Sequence, residues 1–296
     1  MLKRPDQFLD KNTRQYYLLF VPAIVLFLSV NIYPLLYSVY ISFTNYSLSR
    51  PFIPIKFVFF ENFKRLFSDP LFLQAFGRTF AYVVIAVSIE FILGLTIALV
   101  LNREGRFGRI LLTFFLMPMM LTPIIIGLMW RFMFHFDTGL VNFFLTVFGF
   151  DRIPILAHKT IAFLGVITVD IWQWTPFVLL FIYSGLQSLP LEYFEAAKID
   201  GASSFQVFRY ITLPSLKNVI FICLLIRSMD AIREYDKVYT MTYGGPGTST
   251  ETISFYIFRQ GFRIFDTSYA SAASLVLLVV TLTIAQIAVK RYRRSI

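Results

Sequence analysis

Apolar residues in this chain gather into long, almost uncharged runs separated by short polar segments, instead of alternating with polar residues. A membrane-crossing helix needs about 20 mostly apolar residues. Six runs qualify: 16–49, 79–101, 110–134, 160–187, 215–231 with a polar continuation, and 268–289. Pro22 and Pro34 interrupt the first, where prolines kink a membrane helix without forbidding it. Met1-Leu2-Lys3-Arg4 is basic, but the run behind it is too long for a signal sequence and lacks a small-residue cleavage site, so a retained helix is expected. The predicted fold is all-α, a polytopic membrane protein with six transmembrane helices. Its expected divisions are a tail 1–15, a first helix 16–44, an extracytoplasmic loop 45–78, a five-helix core 79–289 and a basic tail 290–296.

Composition agrees. Of 296 residues, 57% are hydrophobic and 15% charged, against about 25% charged in a soluble domain. Too little polar surface is left for a water-soluble fold, and disorder is excluded by 35 Phe and 16 Tyr. The net charge of +10 belongs to the flanks of the spans and gives no reason to expect a nucleic-acid partner. With the N-terminus inside, the inner segments hold 14 Lys and Arg in 61 residues and the outer ones 12 in 100. That bias places both termini in the cytoplasm. Cys223 lies in an apolar run and has no partner cysteine, and His135 and His158 lack metal-ligand spacing.

The inner loop 188–214 is the least ordinary connection. Leu191 to Ile199 reads as a short helix with Pro190 at its start, Glu192 and Glu195 near its positive end and Gly201 as its stop. Ser203 or Ser204 would cap a second helix running through Tyr210, and Pro214 would open the next span. Phe194, Ala197, Ile199, Phe205 and Phe208 place apolar groups on this loop. They suit either a knob that fits a partner's cleft or a helix lying on lipid headgroups.

Glu195-Ala196-Ala197, then Gly201, Ile211 and Leu213-Pro214, occupies seven positions across 20 residues. It resembles the EAA signature of the membrane subunits of binding-protein-dependent ABC importers. Ile32-Tyr33-Pro34, Glu61-Asn62-Phe63, Asp69-Pro70, Asp200-Gly201-Ala202 and Gly244-Gly245-Pro246 are similar to the carbohydrate-uptake branch, the maltose- and glycerol-phosphate-permease kind. The resemblance runs from about Leu18 to Val289, and departs from the maltose permease in having six spans and no large outer insertion. It implies a type I importer permease whose EAA residues insert into a separate ATPase. Glu195 would meet a basic residue there, and Gly201 would permit the turn between the two short helices. The implied partners are a second homologous permease, two ATPase subunits, an extracytoplasmic sugar-binding protein and the bilayer of a bacterial or archaeal cytoplasmic membrane. No G-x-x-x-x-G-K-[ST] occurs, so ATP and Mg would be bound by the ATPase, and this chain is expected to carry no cofactor and no catalytic residue. Gly244-Gly245-Pro246-Gly247 reads as a turn in an outer loop.

Charges at membrane depth are costly and face a cavity or a partner. Asp170, Gln173, Trp174 and Phe177 share a face of the fourth span, and Arg227, Asp230, Ala231 and Glu234 a face of the fifth. Arg227 sits roughly 18 Å above Ser215. Polar faces with an indole suit a sugar, and matched through the EAA loop they fall where the maltose permease contacts its substrate. An Arg227–Asp170 or Arg227–Asp230 ion pair holding the bundle would give the same pattern. Glu90 reads as a hydrogen-bonded packing residue, Trp172 as a lipid or helix contact, and Trp130 with Arg131 as an interfacial anchor. The expected function is the permease subunit of an ATP-driven sugar importer. The alternative is a secondary transporter using Asp170, Asp230 and Glu234 as proton-linked groups, although the two halves show no clear inverted repeat.

Overall fold

The computed structural model describes residues 20–103 and 105–293. The tail 1–15, Glu104 in the basic turn and the last three residues of 290–296 lie outside the described residues. Among the described residues the regular elements are helical, apart from an isolated bridge between Thr44 and Phe57. Four helices are long and apolar enough to cross a membrane: Phe20–Ser42, Pro70–Asn102, Lys159–Gln187 and Thr267–Arg293. Ser204–Ser215 with Lys217–Ile232, bent by 64°, supplies a fifth if the pair is one span.

The chain divides into two compact units. Among the described residues, the first runs up to Ser68 and takes in 257–277. Its leading helix, α1 (Phe20–Ser42), buries nothing along its most apolar stretch. Pro34 does not break it. The turn widens to a π-helix at Leu28–Ile32, and the Tyr33 amide donates to the Leu28 carbonyl just before the proline, which has no N–H to give. The Glu61-Asn62-Phe63 segment opens α2 (Glu61–Phe67), and buried Asn62 donates to the Ser42 and Thr44 carbonyls, both at 2.8 Å, fixing the chain where α1 ends. Phe43 packs against Phe57, Phe60 and Phe63. Arg65 pairs with Asp266 at 2.7 Å and lies over the Tyr269 ring.

Among the described residues, the second unit takes in 69–256 and the chain from Leu278 onward. α3 (Pro70–Arg103) starts inside the segment expected as loop, because Pro70 suits a first helical position and Asp69 accepts from the Leu71 amide at 2.8 Å. It packs along α7 (Lys159–Gln187), with Ala98, Leu101, Val178, Leu179, Ile182 and Leu186 in a core completed by Leu216 and Cys223. Gly94 permits the close approach: a β-carbon there would lie 2.8 Å from the Val178 side chain.

The run 110–134, expected as a single span, is not one helix. It is divided into α4 (Gly105–Leu116), a 3₁₀ turn (Pro118–Met120) and α5 (Pro123–Met133). Pro118 and Pro123 remove two helical donors, and Leu121 and Thr122 adopt extended backbone between them. The short α6 (Leu140–Val147) precedes α7.

Beyond α7 come α8 (Leu191–Ile199), α9 (Ser204–Val207) and α10 (Lys217–Ile232). α11 (Ile253–Phe262) and α12 (Thr267–Arg293) close the chain. Gly244–Gly247 forms the expected turn, and the turn is packed. Gly244 is buried with φ +82, its missing β-carbon site 2.7 Å from the Phe255 ring, and the Thr250 hydroxyl bonds the Gly245 carbonyl at 3.0 Å.

Candidate functional site

Two places in the second unit gather the residues singled out from sequence. The first is the loop after α7. α8 spans Leu191–Ile199 with Pro190 as its N-cap. It ends in a Schellman motif: Gly201 takes φ +72, its amide donates to the Lys198 carbonyl at 3.1 Å, and the Ala202 amide reaches the Ala197 carbonyl at 2.9 Å. The fixed interval between Ala197 and Gly201 is therefore the geometry of a helix stop.

Ser203 caps the next helix in a capping box, its hydroxyl accepting from the Gln206 amide while the Gln206 side chain accepts from the Ser203 amide at 2.7 Å. The expected end at Tyr210 does not occur. The helix widens into a π-turn at Phe208–Thr212, the Leu213 amide donates to the Phe208 carbonyl, and the turn carries the chain past Pro214 to Ser215. The device at Pro34 is thus repeated. A bend at buried Leu216 then starts α10, so Pro214 does not itself open the span.

Ile199 is 87% exposed, and Leu191, Tyr193, Phe205 and Tyr210 also stand clear. Glu195 and Ala196 are exposed, and Ile211 and Leu213 half-buried. Phe194 and Phe208 are half-buried and Ala197 is buried, so these three are not protruding knobs. Tyr193, Ala196, Gly201, Gln206, Tyr210 and Ile211 line an open cleft of about 640 Å³.

The second place is a buried charge cluster among α3, α7, α10 and the segment after α10. Arg227 donates through Nε and Nη2 to both oxygens of Glu90, at 2.7 and 2.9 Å, and through Nη2 to Asp170. Arg227 is 2% exposed, and Glu90 and Asp170 are fully buried. Lys237, also fully buried, contacts Asp170 at 3.0 Å, Glu234 at 2.7 Å and the Gln173 side-chain oxygen at 3.1 Å. Gln173 in turn donates to the Leu121 carbonyl at 3.2 Å, the extended residue that α4 and α5 leave between them. The break in the third run therefore presents a carbonyl that a continuous helix would have consumed.

Of the residues proposed to face a sugar, Asp170, Gln173 and Arg227 are buried within the chain, and Glu234 nearly so. Both ion pairs considered from sequence are present, since Arg227 also reaches Asp230 at 3.5 Å. Asp230 is half exposed, and Trp174 and Phe177 are half-buried. The Trp174 ring lies over the Arg227 guanidinium at 5.5 Å and meets Phe177 edge-on.

Glu90, read as a hydrogen-bonded packing residue, is buried and is the bidentate partner of Arg227. Lys237 is not among the residues that the sequence singles out, although it stands at i, i+3 from Glu234. Trp172 packs edge-on against Trp130 at 5.5 Å, and Arg131 donates to the Thr240 carbonyl at 3.4 Å.

Residues 90–296 match the family described as binding-protein-dependent transport system inner membrane component. The chain is 40% identical over 265 residues to a probable ABC transporter permease protein, y4oQ, of Sinorhizobium fredii, covering 89% of this chain and 85% of that one. It is 36% identical over 282 residues to the trehalose/maltose transport system permease protein MalF of Thermococcus litoralis, covering 94% of each. Among solved structures, a chain of a bacterial ABC transporter involved in the import of the acidic polysaccharide alginate superposes with a TM-score of 0.84 at 24% identity, covering 96% of both chains.

Proposed function

Since the chain belongs to the binding-protein-dependent transport system inner membrane components, we propose that it is one permease subunit of an ATP-driven sugar importer in a bacterial or archaeal cytoplasmic membrane. Its relatives named as sugar permeases support the substrate class. The chain would cross the membrane six times, with α4 and α5 together as the broken third span and both termini inside. A second homologous permease would complete the pathway, two ATPase subunits would bind ATP and Mg, and an extracytoplasmic binding protein would deliver sugar.

The observation that carries this reading is the loop 188–214. Its Schellman stop and capping box make a stiff two-helix unit, and its exposed Ile199 and Phe205 beside an open cleft supply the shape a partner would grip. Glu195, Ala196, Ala197, Gly201, Ile211, Leu213 and Pro214 would form the ATPase contact or its scaffold. Trp174, Phe177 and Asp230 would touch sugar, while Asp170, Gln173, Arg227 and Glu234 would hold them in place from behind. Differential affinity of the ATPase for two permease states would drive the change between inward- and outward-facing forms.

The test is uptake by vesicles holding the assembled complex and its loaded binding protein. Accumulation should follow internal ATP and ignore an imposed proton gradient. Uptake that follows the proton gradient with ATP absent would restore the secondary-transporter alternative.

A further inference from the structure

In the first unit, α1 ends where α12 begins. The Thr44 hydroxyl meets that of Ser268 at 3.0 Å, and the Ser268 amide donates to the Tyr46 carbonyl at 3.0 Å. α1 has 23 residues and α12 has 27, about 34 and 40 Å of helix against a hydrocarbon layer of about 30 Å. The end they share therefore lies in the headgroup layer.

A polar cavity of about 460 Å³ opens there, a size that suits a small ligand. Ser47, Ser49, Arg50, Glu61, Arg65 and Asp266 line it, together with the Asn62 that is pinned to the Ser42 and Thr44 carbonyls at the end of α1. Its walls are held in place. Asn45 closes the base of the loop 46–55: its amide donates to the Lys56 carbonyl at 3.1 Å, and its side-chain oxygen accepts from the Lys56 amide at 2.7 Å. Phe265, beside Asp266, takes φ +62, which a bulky side chain rarely adopts, and its carbonyl accepts from the Leu48 amide at 3.0 Å and the Ser47 hydroxyl at 2.9 Å. Arg65 and Asp266 neutralise each other at 2.7 Å. Arg50 and Glu61 are exposed, and among the described residues neither side chain has a hydrogen bond or ion pair. One free cation and one free carboxylate thus share the cavity.

We infer that this cavity binds the headgroup of a phospholipid that carries both a phosphate and an ammonium. The Arg50 guanidinium offers a fork of donors to phosphate oxygens, and the Glu61 carboxylate accepts from an ammonium. A choline headgroup has no N–H to give Glu61, and a glycerol headgroup has no cation. Depth and surface both favour a lipid over a soluble phosphate ester. α1, whose end the cavity abuts, buries nothing along its most apolar stretch, so acyl chains have apolar surface to lie on. The inference needs the membrane placement of α1 and α12 and nothing about the sugar.

Native mass spectrometry tests this on the assembled complex, stripped of lipid and offered equal amounts of phosphatidylethanolamine, phosphatidylcholine and phosphatidylglycerol. Phosphatidylethanolamine should be retained about tenfold over the other two, the factor that one charge-assisted hydrogen bond supplies. Arg50→Gln should cut its retention about tenfold, and Glu61→Gln should remove its advantage over phosphatidylglycerol. Water-soluble glycerophosphoethanolamine in equal amount should displace none of it. Equal retention of the three lipids, retention unchanged in both variants, or displacement by glycerophosphoethanolamine would each overturn the inference. So would variants that keep the lipid but lose the stimulation of ATP hydrolysis by loaded binding protein, which would assign the cavity to that partner. If either variant does not assemble, Ser49→Trp, which sets a bulky ring at an exposed position of the lining, decides instead. Phosphatidylethanolamine retention should fall there as well, and unchanged retention would sink the idea.

Discussion

At the scale of single residues, burial divides the charged groups into two kinds. Glu90 and Arg227 share two short hydrogen bonds inside the bundle, and removing one partner of such a pair leaves an uncompensated buried charge at a cost of about 3–5 kcal/mol. Glu90→Ala should therefore lower the yield and thermal stability of the assembled complex. Asp230 holds Arg227 only at 3.5 Å with its own side chain half exposed, a contact worth at most about 1 kcal/mol. Asp230→Ala should leave the complex intact and reduce uptake about tenfold or more, through loss of a charge-assisted acceptor, while loaded binding protein still stimulates ATP hydrolysis. Parallel measurement of complex yield, stimulated hydrolysis and uptake separates the two. Equal loss of complex in both variants would make Asp230 structural as well.

Helices and turns show which parts of the chain were legible in advance. α8 was readable to the residue, because Pro190 and Gly201 mark its ends by backbone geometry alone, and of the two serines expected to cap the next helix it is Ser203 that does so. Proline acts in two ways here: the tolerance expected at Pro34 is found and extends to Pro214, whereas the break at Pro118 and Pro123 was not expected. At Pro34 and Pro214 a π-turn lets the preceding amide reach back five residues, and the helix continues. At Pro118 and Pro123 two prolines five residues apart leave no room for that adjustment, and the third run breaks. Hydropathy counts apolar residues and is blind to which N–H groups are missing.

The same backbone logic sets a prediction for Gly201. A β-carbon there would meet no neighbour within 4 Å, yet φ +72 is a conformation that side chains rarely adopt. Gly201→Asp should abolish uptake or ATPase co-purification while the protein remains in the membrane; normal values of both would show that the turn is not what couples the subunits.

For the whole molecule, the fold class and family could be read from sequence, whereas the site was read only in outline. Spacing placed Asp170 with Trp174 and Arg227 with Asp230, but periodicity within one helix cannot tell which side chains meet those of another. Glu90 lies 137 positions from Arg227, and Lys237 joins Asp170 from a different segment of the chain, 67 positions on. The expected orientation, in contrast, rests on charge summed along the entire chain, since 14 basic residues crowd into the 61 positions expected to lie inside. A fluorescent protein fused after Ile296 should accordingly light up in cells, and alkaline phosphatase placed in 135–159 should be active. The reverse pair of results would invert the topology.

The 64° bend at Leu216 has a mechanical consequence. From Lys217 to Arg227 is about 15 Å of helix, so a rotation of about 10° at the bend would swing the guanidinium by roughly 2–3 Å. A hydrogen bond is lost after less than about 1 Å of stretch. The bend and the ion cluster therefore cannot both be stiff while the loop moves. Either the bend yields, or Arg227 parts from Glu90 and Asp170; while those hydrogen bonds hold, α10 is tied to α3 and α7.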